Sequence, residues 1–114
     1  ALEESQVVRR RLRDKLGLAE GLWKLGGCFA EIGYHLHALD YLEQALALAR
    51  ELGDPFGIVL SLLAIGHVRN IQGEPRPGLV LLEEAVALCE KHHMSTLLGR
   101  CLWQLATLEG GTGD

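Results

Sequence analysis

The stretch LWKLGGCFAEIGYHLHALDYLEQALAL at residues 22–48 is restated forty residues later as LLAIGHVRNIQGEPRPGLVLLEEAVAL at residues 62–88. Leu22, Leu25, Gly26, Gly33, Leu39, Leu42, Glu43, Ala45, Ala47 and Leu48 return as Leu62, Ile65, Gly66, Gly73, Leu79, Leu82, Glu83, Ala85, Ala87 and Leu88. The same offset reaches outward. Leu102, Trp103, Leu105 and Ala106 answer Leu22, Trp23, Leu25 and Gly26 at twice the period, and Leu2, Glu3, Val8 and Leu12 precede Leu42, Glu43, Leu48 and Leu52 by one period. A fixed period of this length marks a repeat architecture, in which each unit buries its apolar face by stacking on its neighbours. Such a scaffold presents a surface rather than a chemistry, so the repeat speaks to architecture more than to function.

The units are helical. Apolar residues recur at three- and four-residue spacing almost throughout, Leu and Ala dominate, and β-branched residues are sparse. Six helices are expected. The first covers about Leu2 to Lys15 with Val8, Leu12 and Leu16 on one face; the second covers about Ala19 to Ile32 with a stripe of Leu22, Leu25, Phe29 and Ile32. Gly33 is a left-handed stop. The third spans about His35 to Leu52 with Leu39, Leu42, Ala45, Leu46 and Ala49 inward. Gly53-Asp54-Pro55 is the best-marked boundary: glycine for the left-handed position, Asp as an N-cap accepting free amide hydrogens, and proline at the first helical position, where a missing N–H costs nothing. The fourth helix runs to about Ile71 or Gln72. Pro75 and Pro77 open the fifth, which ends near Lys91, and Ser95 is the expected N-cap of a sixth carrying Leu98, Leu102, Leu105 and Leu108. Loops this short make the helices antiparallel neighbours. Gly26, Gly66 and Ala106, with Ala38 and Gly78 on the helices between, mark close helix contact, because a mid-helix glycine otherwise costs roughly 1 kcal/mol.

These residues resemble the tetratricopeptide repeat. In that family the first helix of a pair carries Leu-Gly, an aromatic and a Gly turn, and the second a small residue, a bulky apolar one and an alanine. Leu25-Gly26, Phe29, Gly33, Ala38, Leu42 and Ala45 stand in that order, followed one unit later by Ile65-Gly66, Gly73, Gly78, Leu82 and Ala85. Arg69 replaces the second aromatic, and the period exceeds the family's usual 34 residues, as in kinesin-light-chain-like arrays and bacterial signalling ATPases and transcriptional activators. The resemblance implies an all-α fold, a right-handed superhelix of antiparallel helix pairs (an α-solenoid). Residues 1–109 are expected to form one domain, with a half repeat over 1–16, repeats over 17–56 and 57–96 and a half repeat over 97–109, and the glycine-rich residues 110–114 are expected to form a disordered tail. A final helix without a polar cap implies a longer array or self-association through a terminal helix.

Ligands of the family lie along the concave surface lined by first-type helices. Carried over by position, the groove candidates are Glu20, Trp23, Lys24, Gly27 and Glu31, then Leu60, Leu63, His67, Asn70 and Ile71, then Arg100, Trp103, Gln104 and Thr107. Trp23 and Trp103 share one repeat position, two units apart. They are either groove anchors, since Trp buries large area with few torsions, or inter-repeat core. The charged candidates either fix peptide polarity or form a solvated helix face.

Other chemistries find little support. Net charge is −4, against a nucleic-acid surface. Arg9, Arg10, Arg11 and Arg13 are flanked by Glu3, Glu4 and Asp14, which points to intrahelical pairing. His35 and His37 are two apart and His92 and His93 adjacent, not the three or four a helical metal pair needs, so no metal or cofactor is expected. The cysteines Cys28, Cys89 and Cys101 read as buried hydrophobes in a reducing compartment. No phosphate loop or nucleophile elbow is present, and no enzyme is expected. No apolar run approaches the roughly 20 residues of a membrane span, no signal-peptide pattern is read at the start, and a cytoplasmic location is the expectation. The expected function is a protein–protein interaction scaffold holding a peptide or protein segment in its groove. The alternatives are an effector-sensing segment of a larger bacterial signalling ATPase or transcriptional activator, and a self-assembly module acting through uncapped terminal helices.

Overall fold

The computed structural model describes residues 2–73 and 75–112, with side chains outside the description at residues 1–5, 74–75 and 108–114. Its backbone is organised by turns placed every twenty residues: Gly33, Gly53, Gly73 and His93 are the described residues with left-handed φ, at 91°, 65°, 82° and 56°. Three of the four show the same pair of closing bonds. Tyr34, Asp54 and Met94 donate their N–H groups to the carbonyls of Phe29, Ala49 and Cys89, while Gly33, Gly53 and His93 donate to Ala30, Arg50 and Glu90. This is the Schellman closure, which satisfies carbonyls a helix end would leave orphaned. At the fourth turn, Gly73 donates to Asn70 in the same way.

The turns delimit five helices among the described residues: α1 (Leu2–Glu31), α2 (His35–Leu52), α3 (Pro55–Ile71), α4 (Pro75–Lys91) and α5 (Ser95–Thr112). The expected count of six is corrected because the first two run together as α1. Twenty residues before Gly33 stands Arg13, followed by Asp14 and Lys15 where Asp54 and Pro55 follow Gly53. Arginine resists the left-handed region, at about 1–2 kcal/mol, and Lys15 does not interrupt the hydrogen-bond ladder as proline does. Histidine is among the residues enriched at positive φ, and the turn at His93 is offset by burial of Leu97 and Cys101 beyond it. Asp54 holds the N-cap position and Pro55 follows at the helix start, but the Asp54 side chain makes no capping bond. Ser95 is the first residue of α5 rather than its cap; Leu98 N–H bonds back to the Met94 carbonyl. At the other end α5 extends through Thr112, and Gly113 and Asp114 lie outside the described residues.

Each helix packs on the next, and α3 also touches α1 and α5. Two buried clusters hold the stack. Ala38, Leu39 and Leu42 of α2 meet Ile65 and Val68 of α3. Val59, Leu62 and Leu63 of α3 meet Leu82, Ala85 and Cys89 of α4 and Leu97 and Cys101 of α5. Leu42 and Leu82, one repeat apart, are each fully buried, worth about 2 kcal/mol apiece in transfer free energy. They face equivalent partners: a Cβ added at Gly26 would meet Leu42 Cγ at 2.5 Å and the Ala38 carbonyl oxygen at 3.1 Å, and one at Gly66 would meet Leu82 Cγ at 3.5 Å and the Gly78 carbonyl oxygen at 3.6 Å.

The fusion of the first two helices leaves apolar surface uncovered. Val8, Leu12 and Leu16 are 54%, 48% and 45% exposed, and so is Leu25, whereas its counterpart Ile65 is buried against α2. The expected α1 stripe is thus corrected: Leu22 and Phe29 are half-buried, while Leu25 and Ile32 face solvent. On α5 the fully covered positions are Leu97 and Cys101, with Leu98 and Leu105 half-buried and Leu102 exposed; the side chain of Leu108 is outside the description. The cysteines divide likewise: Cys89 and Cys101 are buried but Cys28 is exposed, because it falls on the side of α1 away from α2 and α3. The Arg9–Arg13 cluster is exposed and shows no ion pair among the described side chains, which do not include Glu3 and Glu4. No helix among the described residues is long and apolar enough to cross a membrane.

The glycine contacts separate two substitutions of identical chemistry. Gly26→Ala forces overlap with Leu42 and is expected to destabilise by about 1–3 kcal/mol, while Gly66→Ala, with only ordinary contacts, is expected to be neutral or to stabilise by up to about 1 kcal/mol through helix propensity; urea unfolding of both variants checks the ordering. His93→Gly relieves a left-handed non-glycine residue and should raise stability by about 1 kcal/mol, read as an upward shift in the same midpoint.

Candidate functional site

The odd-numbered helices share one open cleft of about 940 Å³. α1 contributes Trp23, Gly27, Ala30 and Glu31; α3 contributes Leu60, Leu63, Ala64, His67 and Ile71; α5 contributes Thr96, Gly99, Arg100, Trp103 and Gln104; and α2 adds Leu42. The forty-residue period builds this lining. Trp23, Leu63 and Trp103 occupy one repeat position on three successive odd helices, and a shared position on stacked helices becomes a row across the surface they form.

Of the residues singled out in the sequence, Trp23, Gly27, Glu31, Leu63, His67, Arg100 and Trp103 line the cleft, together with Leu60, Ile71 and Gln104. Glu20, Lys24, Asn70 and Thr107 do not. Lys24 Nζ and Glu20 Oε1 pair at 2.8 Å along α1, both more than half exposed. Asn70 is exposed on α3, and Thr107 Oγ1 donates to the Trp103 carbonyl oxygen at 2.9 Å. The tryptophans differ. Trp103 is 70% exposed and is not core. Trp23 is half-buried, packing on the α2–α3 cluster while also lining the cleft. Sequence reasoning passed over Ala30, Ala64, Thr96 and Gly99. Their signal was small size on the same helical face as the chosen residues, where short side chains leave room between the bulky ones.

The walls are held from behind. Leu97 and Cys101 tie α5 to the core, and Gln104 Nε2 donates to the Leu63 carbonyl oxygen at 3.4 Å, fixing α5 against α3. Cys89 Sγ and Cys101 Sγ lie 3.9 Å apart between α4 and α5. Burial pushes both thiols up, Cys101 to about 12, with the neighbouring Cys89 adding to the effect. On the outer side Arg50 makes a two-pronged pair with Glu84, at 2.8 and 3.0 Å, linking α2 to α4; the hydrogen bond to Glu84 raises the guanidinium above its ordinary value. Phe29 stacks on Tyr41 with ring centroids 5.4 Å apart and on His37 at 5.7 Å, fastening α1 to α2. Arg69, at the repeat position of Phe29, instead approaches Glu43 at 3.7 Å.

Charge in the cleft is sparse and divided. Glu31 stands on the α1 wall and Arg100 on the α5 wall, neither in an ion pair among the described residues, with His67 between them on α3. Among the described residues no three His, Cys, Asp or Glu side chains are grouped to hold a metal ion.

The thiols give a test of this arrangement. Iodoacetamide at pH 8 is expected to label Cys28 readily and to leave Cys89 and Cys101 unmodified until denaturant is added, read by intact mass. Because the folded Cys101 thiol stays protonated to about pH 12 while the unfolded one ionises near 9, its contribution to stability is complete below about pH 9 and is lost as pH rises from there; the urea midpoint should fall over that window, and Cys101→Ala should flatten the fall.

A scan of family models finds no match to this chain, and a search of curated proteins finds no relative.

Proposed function

We propose that the chain is a protein-interaction scaffold of the tetratricopeptide-repeat kind, a segment of right-handed α-solenoid that holds a peptide or protein segment in the cleft lined by α1, α3 and α5. The observation that carries this reading is the row Trp23–Leu63–Trp103, one repeat position on three helices facing one cavity. Aromatic side chains on a firm backing anchor protein interfaces because they bury large area while freezing few torsions. Trp103 has that character: mostly solvent-exposed, on a helix pinned by Leu97, Cys101 and Gln104. The small residues between the anchors admit bulky side chains of the bound segment. Arg100 on one wall and Glu31 on the other favour a segment with acidic groups toward α5 and basic groups toward α1, which sets its direction more than its affinity.

A displayed peptide library selected on the purified protein supplies a ligand to measure. Trp103→Ala is expected to weaken the best binder at least about tenfold, a typical anchor loss, with a melting temperature changed by less than about 2 °C because the ring leaves little buried area behind. Affinity indifferent to Trp103→Ala and to Arg100→Glu, or affinity and melting temperature falling in step, overturns the reading.

A further inference from the structure

We propose that a second, smaller cavity on the far side of Trp23 is a binding site for an organic cation, an ammonium or guanidinium group on a short aliphatic stem. The cavity, about 230 Å³, lies where α1, α2 and the start of α3 meet. Its decisive feature is Ser61. The hydroxyl is fully buried, Ser61 lines this cavity, and among the described residues the hydroxyl has no hydrogen-bond partner. A serine within a helix commonly returns its hydroxyl to the carbonyl one turn back, and a buried hydroxyl left unpaired lowers stability. The fold does not ask for serine here, since the same repeat position holds Gly21 on α1 and Cys101 on α5. The orphaned oxygen is accounted for by a ligand that donates to it.

The rest of the lining defines the donor. Two carboxylates, Glu20 and Asp54, border the cavity, and among the described residues no Lys, Arg or His does. The Asp54 backbone carbonyl accepts the Ile58 N–H, but its carboxylate, lying against Gly57, makes no capping hydrogen bond to α3, so the side-chain oxygens are not occupied as a helix cap. Among the described residues Glu20 is engaged by the exposed pair with Lys24 at 2.8 Å, a contact weak enough to be exchanged for a better-shielded cation. Trp23 and Phe56 also line the cavity, beside the apolar Leu16 and Ala19, and aromatic rings attract cations electrostatically. Ala45 and Ala49 leave room for the stem. An anion would meet two like charges, and a purely apolar ligand would leave the Ser61 hydroxyl as it is. The cation has two possible sources: a side chain of a segment lying in the larger cleft, which Trp23 also lines, or a free small amine. The proposal does not depend on the larger cleft being occupied.

The test titrates the ¹⁵N-labelled protein with N-acetyl-arginine methylamide, with agmatine, and with the neutral N-acetyl-norleucine methylamide, following the indole N–H resonances of Trp23 and Trp103. The expected result is a saturable shift of the Trp23 resonance with Trp103 unmoved, and at least about tenfold tighter binding of the better guanidinium compound than of norleucine, as charge-assisted hydrogen bonds dictate. Capped arginine outbinding agmatine assigns the site to a presented side chain; the reverse assigns it to a free amine; both support a cation site. Asp54→Asn, which keeps a good N-cap residue, should weaken binding, as should Ser61→Ala. Ser61→Ala should also leave the melting temperature equal or higher, which separates loss of a ligand group from loss of fold. Norleucine binding as well as the cations, no cation binding at all, or binding unchanged by both substitutions overturns the proposal.

Discussion

Leu42 packs so close to Gly26 that a β-carbon there would lie 2.5 Å from its Cγ. That single approach, a leucine of α2 laid against bare backbone on α1, sets how near the first two helices come, and Leu82 over Gly66 repeats the contact one unit later. The distance matters beyond the pair. Close-packed interiors transmit such contacts because there is little void to absorb a change. With α2 drawn against α1, Ile65 and Val68 of α3 find Leu39 and Leu42 within reach, and α3 is seated beside α1. The second approach is looser, and Gly78 is there the helix partner that keeps backbone near backbone.

The odd-numbered helices emerge from this stacking as the surface with freedom to vary. Their inner positions are committed to the core, as Val59, Leu62, Leu97 and Cys101 show. Their outer positions face a shared cleft, where a periodic sequence becomes a periodic surface. Tryptophans at the two ends of a row and a leucine in the middle give two bulky margins and a lower floor, with Leu63 itself almost wholly covered. The smaller cavity obeys different logic. It lies at the junction of a helix end and two helix faces, where the Asp54 carboxylate lies against Gly57 without a capping hydrogen bond and Ser61 holds a hydroxyl that packing does not use.

Departures from periodicity are as instructive as the repeat. The turn recurs at residues 33, 53, 73 and 93 but not at 13. Glycine takes the first three without steric cost and histidine the fourth at some cost, offset by what lies beyond it. Arg13, with Lys15 in place of a proline, lets the helix continue, and the leucines and valines that a hairpin would have covered stay exposed on α1. Hydrophobic pattern alone does not fold a chain back; a residue able to reverse the backbone must stand at the right place.

Much of this was written locally. Gly33, Gly53-Asp54-Pro55, Gly73 and Pro75 bound α2 and α3 and the start of α4, because conformational freedom at glycine and its loss at proline act over a few bonds and need no partner. The buried face of α2 was legible for a related reason, since a helix that packs on both sides must place Leu39, Leu42, Ala45 and Ala49 inward. The repeat likewise pointed to Trp23, Leu63 and Trp103 as one row, yet only the packed helices decided that Trp103 stands in solvent while Trp23 leans on the core, that Leu25 is bare where Ile65 is covered, and that Cys28 is exposed where Cys89 and Cys101 are not. Those outcomes depend on which helix lies against which. Equivalent residues in a repeat share a backbone environment, but their burial is set by neighbours that differ from one end of the stack to the other.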